Sequence, residues 1–255
     1  MITVEVLGAP ANPWMMHELS IFMAALVGGY HLGTTLKTRR LAVSALVFIA
    51  AITASWQDFY HLWAVYVLWN PHFPQLPWGL SPHTTPYKPA FVPFSWAWFF
   101  GIAIPLLLAL VARVGRYAPR INTFVLSFLI VGPLFWAYDV YVEFNGVSNG
   151  WWSYTRTTGP TLATPRGPFP IWYPVNLFVL QAIVFVWLLT LRDEQGIYFH
   201  ERILRVDRIN PGFKRELARA GAMALLFNLV SLLVNSAYPF ALRLATRGQS
   251  VLVPY

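Results

Sequence analysis

The sequence predicts an all-α protein, a polytopic membrane helix bundle of about six transmembrane helices with both termini on the same, outer side. Three observations lead there. Of 255 residues, 57% are hydrophobic and only 11% are charged, less than half the charged share of an ordinary soluble domain. Apolar runs of about 20 residues, the length that crosses a hydrocarbon core, recur along the whole chain. Thirteen of the eighteen Lys and Arg residues fall in just three of the connections between those runs.

Taken in order, the expected spans are 17–36, 41–62, 90–112, 121–144, 171–191 and 219–242. The first opens with His17 and Glu18 and is followed by Lys37, Arg39 and Arg40. The second carries a polar patch, Trp56, Gln57, Asp58 and His61, in an otherwise apolar run. Pro93, Pro105, Pro133 and Pro239 lie in or near other spans, where a membrane helix tolerates them as kinks if neighbours bond the freed carbonyls. The connections 36–40, 113–120 and 192–219 hold the thirteen basic residues, so the positive-inside rule puts them in the cytoplasm. Outward lie 70–89 and 145–170, rich in Pro, Trp and Tyr. These read as interfacial aromatic belts, as a lid that excludes water from a cavity beneath, or as both. The 193–216 stretch, with basic and apolar residues interleaved, suits either an amphipathic helix on an anionic leaflet or an ordinary charged loop. Residues 1–255 read as a single integral membrane domain without internal repeats. The first apolar run is expected to be retained, because no Lys or Arg precedes Lys37 to start a secretory leader.

Composition also excludes chemistries. With no cysteine there is no disulfide, thiolate metal site or cysteine nucleophile. The net charge of +8 is spread in short clusters, which argues against a nucleic-acid partner and for a lipid bilayer, most simply the bacterial cytoplasmic membrane. There is no phosphate-cradling glycine loop, nucleophile elbow or dinucleotide fingerprint. His17, Glu18, Asp58, His61, Asp139 and Glu143 have ligand chemistry, yet no Glu-x-x-His or His-x-x-x-His pair lies on one span, so neither a metal nor a cofactor is expected.

The informative residues are acids. Glu18, Asp58, Asp139 and Glu143 are four of only ten carboxylates, and they lie within or at the ends of spans, where ionisable groups are costly and usually functional. Counted from the basic ends, Glu18, Asp58 and Asp139 fall at one depth, about 26 to 29 Å along at a rise of 1.5 Å per residue. Asp139 and Glu143 are one turn apart, with Trp136 about a turn earlier. Like charges so placed repel, so one of the pair is expected to keep a proton and act as a general acid, unless both pair with Arg156 or Arg166. Asp58 and His61 are also about a turn apart and would share a proton; Asn228 and Asn235 lie two turns apart on the last span, with Tyr238 further outward. Aromatic walls stabilise cations, so an acid in an aromatic cavity suits acid-initiated cyclisation of a hydrophobic small molecule.

The chain resembles the spirocyclase family typified by the AveC spiroketal cyclase of avermectin biosynthesis. The likeness rests on Trp56-Gln57-Asp58, Gly79-Leu80-Ser81-Pro82, Tyr138-Asp139 through Glu143 with Gly150 and Tyr154, Arg192-Asp193-Glu194-Gln195-Gly196 with Glu201-Arg202, and Phe227-Asn228 with Asn235, all in family order. Phe59 and Leu62 depart from it, standing where the family has Pro and Asn. The resemblance implies polyketide biosynthesis: a dihydroxy ketone closing to a spiroketal without a redox cofactor. It implies Asp139 or Glu143 as acid, Asp58 as base or charge partner and Asn235 as an orienting group. Trp56, Gln57, His61, Trp136, Tyr154, Asn228, Asn235 and Tyr238 are the candidate substrate-binding residues. A membrane isoprenoid cyclase or hydratase, started by protonation of an alkene or epoxide, uses the same parts, and a proton-coupled transporter or lipid-binding protein also places acids in the membrane.

Overall fold

In hydrocarbon a backbone N–H or C=O finds no water, and a lone segment satisfies these groups only as a helix. The computed structural model describes residues 8–157 and 159–246 and is accordingly 66% helical with little sheet. Its helices are α1 (Glu18–Thr38), α2 (Val43–Ala54), α3 (Gln57–Ala64), α4 (Val92–Tyr117), α5 (Thr123–Asn149), α6 (Leu180–Thr190), α7 (Phe199–Ile203), α8 (Phe213–Val230) and α9 (Ala237–Thr246). Four stretches, Pro13–Thr38, Val92–Tyr117, Thr123–Asn149 and Phe213–Thr246, are long and apolar enough to cross a membrane, and α2 with α3, bent by 61°, forms either a fifth, broken span or a re-entrant loop.

Two of the expected stretches differ in detail in the structure. Residues 171–191 are helical from 173 to 190, but not α throughout: a π-helical turn occupies Val175–Val179, and the α part that follows, α6, has 11 residues. The 193–216 stretch is not one amphipathic helix either. Arg205 takes a left-handed conformation (φ 56°) between α7 and a short 3-10 turn at Val206–Arg208, and Gly212 (φ 139°) precedes α8.

Small residues on α2 set the packing. Ala45, Ala50, Ala51 and Ala54 are buried and let α2 lie close against α4 and α8, the usual device where lipid offers no hydrophobic driving force. At the start of α2, the Leu41 amide donates to Glu216 (2.8 Å), while Arg219 donates to the Leu41 carbonyl (3.1 Å), to Glu216 and to Glu201 (2.8 Å each). This knot ties the α1–α2 turn and α7 to the start of α8.

The two long connections carry short strands, which sequence patterning does not reveal. β1 (Val67–Trp69) pairs antiparallel with β2 (Trp152–Tyr154), Trp69 opposite Trp152 and Val67 opposite Tyr154. β3 (Thr161–Thr164) and β4 (Gly167–Pro170) form a hairpin.

Candidate functional site

The first acid is positioned by the bend. The Thr53 hydroxyl donates to the Ala50 carbonyl (2.7 Å) and the Ser55 hydroxyl to Ile52 (2.8 Å), back-bonds that loosen and bend helices. The chain then turns into α3, where the Gln57 amide donates to the side-chain and main-chain oxygens of Asn228 (2.9 and 3.2 Å) and Asn228 donates to Thr53 (3.1 Å). So latched to α8, α3 buries Asp58, with the Trp96 indole of α4 within hydrogen-bonding reach.

The other two acids lie on α5, and the chain returns to meet them. α5 ends at Gly150, whose left-handed φ of 69° reverses direction at no steric cost. β1 then captures β2, which brings the Trp152 indole (2.9 Å) and the Tyr154 hydroxyl to donate to Oε2 of Glu143. Gly146 is required beneath them, because a Cβ there would overlap the Trp152 ring. Burial, then the adjacent Glu143 carboxyl, holds the Tyr154 phenol well above its ordinary range, so it remains a donor at any physiological pH.

Asp58, Asp139 and Glu143 line one cavity of about 310 Å³ among α3, α4 and α5. Their residues are 3%, 3% and 7% exposed. Trp96, Phe99, Phe100 and Phe178 form much of the apolar wall, and Trp69, Trp151 and Trp152 close it on the strand side. Among the described residues Oδ2 of Asp139 has no hydrogen-bond partner. Such a buried orphan costs about 1–3 kcal/mol, a deficit that a ligand hydroxyl in the cavity would remove.

The structure separates the remaining expected site residues. Tyr154 reaches Glu143, as just described. His61 is buried behind the cavity wall, stacked on Phe178 (6.3 Å between ring centroids) and facing the Asn235 backbone. Asn235 is buried there too, its amide without a partner among the described residues; a π-helical turn at Ser231–Ser236 breaks the α spacing that would align it with Asn228. Gln57 and Asn228 do not face the cavity and instead form the latch between α3 and α8. Trp56, Trp136 and Tyr238, expected to contact substrate, lie outside it, 42%, 36% and 62% exposed; the Trp136 indole donates to the Ile171 carbonyl (3.3 Å). Glu18 does not join the other acids, its side chain being 67% exposed beside His17. Arg156 lies over the Tyr66 ring, and Arg166 donates to the Ala9 carbonyl.

Two contributors escaped sequence reasoning. Trp96 belongs to an aromatic-rich run with nothing to mark which ring meets Asp58. Trp152 carries a readable signal, a bulky donor just past a helix-ending glycine, within a stretch whose composition reads only as an aromatic belt or lid. Among the described residues no three His, Asp or Glu side chains are grouped to hold a metal ion.

A helical bundle with long apolar helices and carboxyl groups gathered in an apolar cavity defines a class of membrane-type proteins with a buried acidic cavity. Residues 38–251 match the family described as spirocyclase AveC-like, and the chain belongs to that family, which points to a cyclase. No curated protein and no solved structure matches the chain.

Proposed function

We propose that this protein is a membrane-embedded spiroketal cyclase acting on a dihydroxy-ketone polyketide, with its site in the outer half of a bacterial cytoplasmic membrane. The observation that carries the reading is the convergence of Asp58, Asp139 and Glu143 on one apolar cavity, within a chain of a spirocyclase family.

The chemistry needs a proton donor, a proton acceptor and exclusion of water. One substrate hydroxyl adds to the ketone to give a hemiketal. Asp139, whose unpartnered Oδ2 faces no competing protein group, protonates the hemiketal hydroxyl; the C–O bond breaks and water leaves. The resulting oxocarbenium ion lies among aromatic faces, which stabilise cations, and beside Glu143, held in one orientation by Trp152 and Tyr154. The second hydroxyl adds to the cationic carbon and passes its proton to Asp58, from which a proton returns to Asp139 before the next turnover. The net change is one dihydroxy ketone to one spiroketal and one water, and the cavity wall fixes the face of closure. His61 and Asn235 act from behind Phe178, as positioning residues.

Purified protein in lipid nanodiscs, given a synthetic dihydroxy ketone at neutral pH, is expected to release one spiroketal stereoisomer by chiral liquid chromatography and mass spectrometry. Asp58→Asn, Asp139→Asn and Glu143→Gln should each reduce turnover by about 10²–10⁴-fold, the usual share of acid–base catalysis, with expression and melting unchanged. Full activity in all three variants overturns the proposal.

A further inference from the structure

The cavity is open on one side. Of its lining residues, Met15 in the 3-10 turn Pro13–Met15, Leu19 of α1, and Tyr138 and Tyr141 of α5 are exposed and border its mouth. α1 packs on α2 and α4, whereas α5 packs on α4 and α6, which leaves a slot between α1 and α5 with Ser95 and Trp98 of α4 within it. Tyr141 is 67% exposed, and the rims continue into exposed Phe22 and Leu26 on α1 and Leu134 on α5. Large apolar side chains in rows on helices long enough to cross a membrane belong against lipid rather than water. The slot therefore faces the bilayer.

Chemistry changes along this path. At its inner end are three buried carboxyl groups, one with an unpartnered oxygen; toward the mouth the lining is mostly aromatic and apolar, with Ser95, Asn145 and Asn149 as polar members, the two asparagine amides donating to α5 carbonyls. A volume of about 310 Å³ is at the bottom of the range that encloses a drug-sized ligand, so a larger molecule enters only in part.

We propose that the site is loaded sideways from the bilayer through the slot between α1 and α5, and that it takes amphipathic chains whose hydroxylated end reaches the acids while the apolar remainder stays in lipid. The hydroxylated end rests on the cyclase reading; the route rests on the slot itself.

The absence of cysteine makes single-site labelling direct. Leu19→Cys and Tyr141→Cys, each carrying a nitroxide in phosphatidylcholine nanodiscs, should collide more with oxygen than with a water-soluble nickel chelate. The opposite order at both positions overturns the route. In a second arm, phenylmaleimide on Tyr141→Cys should slow cyclisation of a long-tailed dihydroxy ketone at least tenfold relative to the same variant unlabelled. The same adduct on Leu106→Cys, exposed elsewhere on α4, should change it less than twofold; equal effects overturn the proposal. A protein that does not cyclise before labelling refutes the cyclase reading, while the collision data still judge the route.

Discussion

Removing the Tyr154 hydroxyl tests whether Glu143 acts through its orientation. In Tyr154→Phe the ring keeps its packing on Tyr173 (4.9 Å between centroids) and Phe169 (6.3 Å) and its place opposite Val67 in the strand pair. Only the bond to Glu143 is lost. A hydrogen bond to a charged group contributes about 1.5–3 kcal/mol, and the remaining Trp152 bond at 2.9 Å spares Glu143 from being left bare, so the lower half of that range applies. At 1.4 kcal/mol per tenfold, kcat should fall roughly 10- to 40-fold. KM should hold, because the hydroxyl contacts Glu143 rather than the cavity space. The assay is chiral chromatography of spiroketal formed in nanodiscs, with a melting curve beside it to establish folding. A variant that melts like the parent and turns over within threefold of it would show that the Tyr154 bond does not support catalysis.

Gly146→Ala should be worse than its size suggests, because the new methyl displaces the Trp152 ring; overpacking of this kind costs about 1–3 kcal/mol, read as a lower melting temperature together with lost turnover. Asn228→Ala unlatches α3 from α8, and with interhelical hydrogen bonds in membranes contributing about 0.6–1.7 kcal/mol, a modest loss of stability is expected that is non-additive with Gln57→Ala in a double-mutant cycle. Burial lowers the His200 imidazole from 6.5 to about 4, so the folded state binds fewer protons than the unfolded one; the stability this represents is complete above pH 6.5 and is lost as pH falls toward 4. The full shift corresponds to about 3 kcal/mol, discounted to about 1–2 for partial solvent access, and His200→Phe should flatten melting temperature against pH across that window.

What the sequence discloses depends on whether the signal is local. Asp139 and Glu143 are one turn apart on one helix, so their shared face is readable without a structure, and Asp58 stands out because no Lys or Arg lies near it in sequence to pair with it. The bend at Ser55 leaves little trace in the apolar run that leads into the polar patch, since hydroxyl back-bonds leave hydropathy nearly unchanged. Within 171–191, where the helix runs from 173 to 190, hydropathy for a related reason does not record the π-helical turn at Val175–Val179. Trp56 and Trp136 carry the composition of a binding residue, but which side of a helix faces a cavity depends on neighbours far along the chain. Glu18 failed on the same ground, because depth alone does not give direction.

The reversal at Gly150 has a consequence for how this chain tolerates insertion and deletion. From Glu143 to Tyr154 the path runs through a helix end, a tight turn and a strand whose side chains alternate sides, so one residue more or fewer would send the phenol away from its carboxylate. The β3–β4 hairpin carries no such constraint. Relatives that vary in length are expected to do so there, and to keep those eleven steps invariant.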